Sequence, residues 1–160
     1  MSYRNVASTV TTMLLFASAA VAQEERPGKA KARWVTVAEH GLKVKLPAGW
    51  QETEQPGTVL AAARTDKDAS GQSLNIRSVR GVTAAIIQAK AFAQQLRKGF
   101  AESLEGYVAA GDGMTEIAGN PALWLRGSIA DNQILHYIFV GRDVGFIATF
   151  VHPTDRAEQS

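Results

Sequence analysis

The fold of this chain is decided by residues 114–151, MTEIAGNPALWLRGSIADNQILHYIFVGRDVGFIATFV. β-Branched and aromatic residues fill its apolar runs, and the dipeptides Gly-Asn, Asp-Asn and Arg-Asp interrupt them at 119–120, 131–132 and 142–143. Short runs separated by such dipeptides are typical of antiparallel hairpins. The stretch therefore predicts an antiparallel meander of four short strands, on which the rest of the chain packs.

The composition is that of an ordinary globular protein with one domain. The chain has 160 residues, of which 46% are hydrophobic and 20% charged, and this length can bury a core without metal or disulfide staples. The net charge of +2 is small, so nucleic acid is not expected as a partner. Cysteine is absent, which excludes thiol catalysis and thiolate metal sites.

The N-terminal residues 1–22 have the pattern of a secretory signal peptide. Arg4 provides a positive charge, residues 10–19 are apolar, and Ala-Val-Ala at 20–22 is a small-x-small cleavage pattern. The apolar run is short for a bilayer span, which disfavours a retained anchor. We therefore expect cleavage after Ala22 and a periplasmic or secreted protein without stable membrane insertion.

The mature chain is expected to form one α+β domain at 34–153, between a flexible polar lead-in at 23–33 and a polar tail at 154–160. Residues 111–113, Gly-Asp-Gly, lack the lysine of a phosphate-binding loop, and we expect a turn there. Runs that alternate between apolar and polar residues predict strands before the meander. These are Trp34–Val37, Leu42–Leu46, Val59–Arg64 and Leu74–Arg80.

Residues 83–104 predict one long helix that packs on the sheet, because apolar residues recur every three to four positions. Lys90, Arg97 and Lys98 could attract an acidic partner, but a solvated outer face of the helix explains them more simply. The apolar stripe consists of Ile86, Ala89, Ala93, Leu96, Phe100 and Leu104.

The last two strands of the predicted meander are apolar on both faces. In residues 133–140, Ile134 and Ile138 alternate with Leu135, Tyr137 and Phe139. Such strands are normally covered on both faces, yet one helix covers only one face. The N-terminal segment, curvature of the sheet or a second subunit could cover the other face, and the last alternative predicts a homodimer.

Two short motifs carry a family resemblance, GLKVKLPAGW at residues 41–50 and TEIAGNPA at residues 115–122. The first is similar to the opening and the second to the central hairpin of the PsbP-like/Mog superfamily. The resemblance covers residues 34–151 and implies an antiparallel sheet flanked by helices. It also implies a family of accessory and binding proteins, which includes a lumenal photosystem subunit, a nuclear Ran-binding protein and bacterial envelope proteins. The superfamily's C-terminal helix has no counterpart in residues 155–160, and no catalytic residue is implied.

The sequence contains no clear catalytic or metal-binding pattern. Residues 66–71 mimic the start of a calcium loop, but Arg77 stands where the bidentate glutamate belongs, which favours a solvated hairpin loop. The three histidines, His40, His136 and His152, lack ligand spacing. We therefore expect no enzymatic activity, no metal and no cofactor.

Four residues are candidates for contacts with a ligand or a protein partner. Large aromatic side chains can line a pocket, although burial as packing anchors is the common use of tryptophan. The one histidine among them shares a strand face with isoleucines and suits a core or an interface. The four are Trp50, Trp124, His136 and Tyr137.

The leading hypothesis is an exported, non-enzymatic binding or assembly module that acts through contacts with an unknown envelope protein. The alternative is a carrier of a small apolar ligand, with a pocket between sheet and helix near Trp50 or Trp124. A hydrolase of unrecognised type ranks third. A deep pocket would favour the carrier, and a flat apolar face would favour the protein partner.

Overall fold

The computed structural model describes residues 11–13, 31–65 and 71–154. Most residues of the expected signal peptide (1–22), of the lead-in (23–33), of the loop that mimics a calcium site (66–71) and of the polar tail (154–160) lie outside these ranges. Only a short strand, residues 11–13, is described within the expected signal peptide. No helix in the described ranges is long and apolar enough to cross a membrane.

The described residues form strands along most of their length, with two α-helices in the middle of the chain. The helices are α1 (Ala84–Gln88) and α2 (Lys90–Ser103), and a 3-10 turn spans Ala38–His40. The strands are β1 (Thr11–Met13), β2 (Arg33–Val37), β3 (Leu42–Leu46), β4 (Trp50–Glu52), β5 (Leu60–Arg64), β6 (Ser73–Val79), β7 (Val108–Ile117), β8 (Asn120–Ile129), β9 (Asn132–Gly141) and β10 (Val144–Pro153).

The main sheet has seven strands in the order β4-β5-β6-β10-β9-β8-β7, and each strand is antiparallel to its neighbours. Strands β7 to β10 lie side by side in chain order, and β10 returns next to β6. A smaller sheet pairs β3 with β2 in an antiparallel hairpin and with β1 in parallel. An antiparallel sheet with two helices is the α+β class that the sequence predicts.

The three hairpins of strands β7 to β10 turn through two-residue loops whose first residue has a positive φ. These residues are Ala118 (52°), Ala130 (48°) and Arg142 (52°). Two-residue loops adopt this conformation because it matches the twist of the flanking strands. The sequence prediction placed two loops one residue late, since Asn120 and Asn132 begin strands. Tight loops here accept alanine where asparagine or glycine was expected.

The single helix predicted over 83–104 is wrong in detail, because the structure divides it into α1 and α2. Ala89 is extended between them (φ −73°, ψ 120°). The hydroxyl of Thr83 accepts a hydrogen bond from the Ile86 amide (3.3 Å) and caps α1. The break turns Ile87 into the sheet, where it is 1% exposed, and leaves Ile86 38% exposed. The predicted stripe therefore fails in α1.

Both faces of the main sheet are covered. On one, the helix face, α1 and α2 pack over a small core formed by Ile87, Leu123, Leu125 and Ile138. On the other, the hairpin face, the β2–β3 hairpin packs over a larger core. Its buried members include Val35, Leu42, Val44 and Leu46 of the hairpin and Ile76, Ala122, Phe139, Phe146 and Ala148 of the sheet.

Three alternatives were open for covering the second face of the sheet: the N-terminal segment, sheet curvature or a second subunit. The structure shows the first, because the β2–β3 hairpin packs on that face. No second subunit is needed to bury Phe139 and Phe146, whose rings stack with centroids 5.3 Å apart. The homodimer stays a prediction, but the uncovered face that motivated it is absent from the described residues.

Candidate functional site

The four predicted contact residues do not form one site. Trp50 is 8% exposed in the core of the hairpin face, and its ring packs on that of Phe150 with centroids 5.7 Å apart. His136 points to the opposite face, where the helices cover it. Trp50 is therefore a packing anchor, and only Trp124 and Tyr137 come together.

His136 is a core histidine beneath α2. Its ring stacks on Phe100 with centroids 4.2 Å apart and an angle of 14°, and its Nδ1 lies 3.0 Å from the hydroxyl of Thr149. Burial lowers the pKa of His136 to about 4, so the ring is neutral at neutral pH. Its Nε2 and the buried Tyr107 hydroxyl have no hydrogen-bond partner among the described residues. This environment suits packing rather than ligand binding.

Trp124 and Tyr137 are directly opposite each other on β8 and β9. Both are half-buried on the hairpin face, and on β9 and β10 the next pair on this face is Leu135 and Phe150, also half-buried. We call these four residues the Trp124 patch. Trp124 and Leu135 lie outside the buried core of this face, and Arg126 is exposed beside them, opposite Leu135. Partly exposed aromatic rings suit contact with another protein.

The patch borders β7, which forms one edge of the main sheet. A Cβ at Gly113 of β7 would lie 2.8 Å from Nε1 and Cζ2 of the Trp124 indole, and one at Gly111 would lie 3.7 Å from the same ring. The indole fills the space that two absent side chains leave, which explains glycines within a strand. The expected turn at 111–113 is therefore wrong, because these residues continue β7.

The helix side of β7 carries a groove of about 340 Å³ between the helices and the strand. Its floor is apolar and its rim carries Lys90 and an ion pair, Arg97 Nη1 to Asp112 Oδ1 at 2.6 Å. The alternative hypothesis expects a pocket between sheet and helix, but neither Trp50 nor Trp124 lines this groove. The apolar lining includes Ile87, Ala89, Ala93, Met114 and Leu123.

A second depression, of about 580 Å³, lies beside the loop between β4 and β5. It is lined by residues 52–56 and 58–61, which include Glu52 and Glu54. Arg33 donates a hydrogen bond to Glu52 at 2.7 Å, so that carboxylate is already paired. The other polar residues of its lining include Glu54, Gln55 and Thr58, and among the described residues they form no metal-binding cluster.

The described residues contain no cluster of three or more histidines, aspartates or glutamates that could hold a metal ion. The sequence interpretation placed a strand from Met114 onward but expected a turn at 111–113, so it missed that the edge strand β7 continues through these residues. Gly113 is opposite Trp124 on the next strand and Gly111 lies beside the same ring, which is visible only once the register is known. The exposed Val108 (64%) and Met114 (50%) lie on the same strand.

The fold is similar to that of a known protein. The solution structure of the cyanobacterial PsbP (CyanoP) from Synechocystis sp. PCC 6803 matches with a TM-score of 0.60 at 13% identity, over 87% of this chain and 90% of that chain. At this identity the likeness shows the fold alone, and it confirms that the chain has a PsbP-like fold. The relation to Mog stays a prediction.

A crystal structure of a protein of unknown function from Pseudomonas aeruginosa matches with a TM-score of 0.44 at 13% identity, over 78% of this chain and 84% of that chain. No family model matches the chain, and no curated protein does.

Proposed function

We propose that this chain is a non-enzymatic binding or assembly module, periplasmic or secreted, that acts through contacts with another protein. The proposal rests on one observation: the cross-strand pair Trp124–Tyr137 is half-exposed at the margin of the sheet, next to the edge strand β7. Tryptophan, tyrosine and arginine are the residues that most often dominate protein interfaces. The exposed Arg126 completes that set at this margin.

The environment of the histidines supports a role without catalysis. A general base must reach its substrate, whereas His136 is 3% exposed and stacked beneath Phe100. His152 lies 3.2 Å from the side chain of Gln72, and His40 packs edge-on against Phe146. The PsbP-like fold adds support, since the resemblance implies accessory and binding proteins.

The second candidate is a carrier of a small apolar ligand, and the groove between α2 and β7 favours it. A volume of about 340 Å³ is at the lower end of the range for small-molecule sites, roughly 300–1,000 Å³. Its apolar floor could hold a short aliphatic or aromatic group. A molecule that stays bound through native purification, detected by native mass spectrometry, would establish the carrier.

Native capture of the protein from an envelope extract of its source, followed by mass spectrometry, tests the leading proposal. We expect a stoichiometric second protein that is lost with Arg126→Glu, which reverses a charge beside the Trp124 patch without touching the core. The matched control is Arg77→Glu, an exposed arginine on the helix face of β6, and it should retain the partner. A catalytic activity of the purified protein that one point substitution abolishes would overturn the proposal.

A further inference from the structure

Among the described strands, none pairs with the outer edge of β7, which leaves a long row of its backbone groups open. β7 has ten residues, whereas the opposite edge strand, β4, has three. The pairing of β7 with β8 shifts register between Ala109 and Gly111 and is regular from Gly111 to Ile117. Exposed edges of this kind are templates for a further strand unless they are protected. The regular part of β7 is long enough to pair with a short extended segment.

The register shows which backbone groups face outward. Hydrogen-bonded and non-hydrogen-bonded pairs alternate along an antiparallel ladder. Pro121 of β8 is opposite Glu116 and has no N–H, so this pair belongs to the non-hydrogen-bonded class. Met114 and Asp112 then belong to it as well, and at these three positions the N–H and C=O of β7 point away from β8 toward the open edge.

The two faces of an added strand would meet different surroundings. On the hairpin face, Gly111 and Gly113 have no side chains, and the incoming residues would lie beside the Trp124 indole. On the helix face, Met114 is exposed at the rim of the groove. An apolar side chain opposite Met114 would enter that groove and bury apolar surface. An edge strand beside a helix-walled groove is a recurrent arrangement for binding extended peptides.

Charge disfavours a second copy of this chain as the occupant. Two β7 strands paired antiparallel about Met114 would set Asp112 of each copy against Glu116 of the other. Like charges directly opposite each other destabilise a pair of strands. Asp112 already has Arg97 as its partner, whereas Glu116 is exposed and has no ion-pair partner among the described residues. A basic side chain opposite Glu116 on an added strand would give this carboxylate an ion-pair partner.

We propose that β7 accepts an extended segment of a partner protein as a further antiparallel strand, with an apolar side chain opposite Met114 and a lysine or arginine opposite Glu116. In the partner's sequence this pattern is basic-x-apolar. The inference rests on the proposed function, because it assumes that the partner is a protein, and it adds the place and the chemistry of the contact.

The test uses the full-length, isotopically labelled protein and a synthetic peptide, acetyl-Thr-Lys-Thr-Leu-Thr-Thr-Thr-amide, followed by NMR. We expect shifts along β7 and the groove, and slower amide exchange at Met114 and Glu116. A peptide with Glu in place of Lys should bind about three- to fivefold more weakly, from the usual size of one cross-strand charge pair. Glu116→Lys should reverse this preference, and it does so without affecting a buried residue.

Met114→Pro removes one outward N–H of β7 and should abolish peptide binding. If the proline variant does not fold, the Glu116→Lys variant still tests the inference. The inference is overturned by peptide shifts confined to the Trp124 patch, by unchanged exchange at Met114 and Glu116, or by equal binding of the Lys and Glu peptides. These outcomes leave the proposed function standing, since native capture with Arg126→Glu tests it separately. If native capture finds no second protein and the peptide does not bind β7, both proposals are overturned.

Discussion

The indole of Trp124 on β8 lies against the backbone of Gly113 on β7, so close that a Cβ at position 113 would come 2.8 Å from the indole Nε1. On its other side Trp124 is opposite Tyr137 of β9. One side chain thus joins the half-buried aromatic pair to the edge strand, which places both parts of the proposed interface at the same margin of the sheet.

Gly113→Ala should lower the free energy of unfolding by about 1–3 kcal/mol, because the added methyl group forces the indole to move. Denaturant unfolding gives the change in free energy, and tryptophan fluorescence should report the displaced ring. The matched control is Gly99→Ala in α2, where a Cβ meets nothing within 4 Å. That variant should be more stable by roughly 0.5–1 kcal/mol, the helix preference of alanine over glycine. Equal effects at the two positions would contradict the packing described for Trp124.

Stability should depend on pH through His136. Burial lowers the pKa of its imidazole from 6.5 to about 4, so between these values the unfolded state binds the proton and the folded state does not. Stability is therefore fully present above pH 6.5 and falls as the pH drops toward 4, by on the order of 3 kcal/mol for this residue.

Unfolding free energies measured along this pH range should show the slope in the wild type and a reduced slope in His136→Phe. Thr149→Val removes the hydroxyl beside Nδ1 but keeps the imidazole, so it serves as the control and should retain the slope. A wild-type curve that is flat from pH 6.5 to about 4 would show that His136 is not held neutral in the fold.

The break at Ala89 predicts opposite behaviour for two adjacent isoleucines. Ile87→Ala should destabilise the protein by about 2–5 kcal/mol, because it leaves a cavity under α1. Ile86→Ala should change stability by less than about 0.5 kcal/mol, since that side chain faces solvent. Thermal or denaturant unfolding of the two variants decides the matter. A large effect at Ile86 with a small one at Ile87 would restore the continuous helix that the sequence suggested.

Local patterns in the sequence were sufficient for strands β2, β3, β5 and β6 and for the faces of β9 and β10, but they did not predict β4 or the continuation of β7 through residues 111–113. The alternation of Ile134 and Ile138 with Tyr137 and Phe139 predicted two buried faces, and the structure covers both. The α+β class followed from the same alternation and from one amphipathic segment. These features could be predicted because each strand buries alternate side chains, so a two-residue repeat of apolar residues indicates both the strand and its buried face.

The remaining features depend on contacts between residues far apart in the chain. Alanine is a strong helix former, so nothing in the sequence marks the extended Ala89 between α1 and α2. From the sequence alone, Gly111 and Gly113 are interpreted as turn residues. Only the strand register shows that Trp124 lies beside them. The choice among the three covers of the hairpin face also required the position of β2 and β3. Of the four residues predicted to contact a ligand or partner, the structure brings Trp124 and Tyr137 together and buries Trp50 and His136 in the core, and the contact itself stays a prediction.

The most direct test of the protein-contact account is photo-crosslinking in the source organism with a photoreactive phenylalanine at position 137. The control carries the same group at position 86, which is exposed on α1 away from the Trp124 patch. The account predicts a covalent adduct with one other protein from position 137 and none from position 86. No adduct from position 137, or the same adducts from both positions, would contradict it.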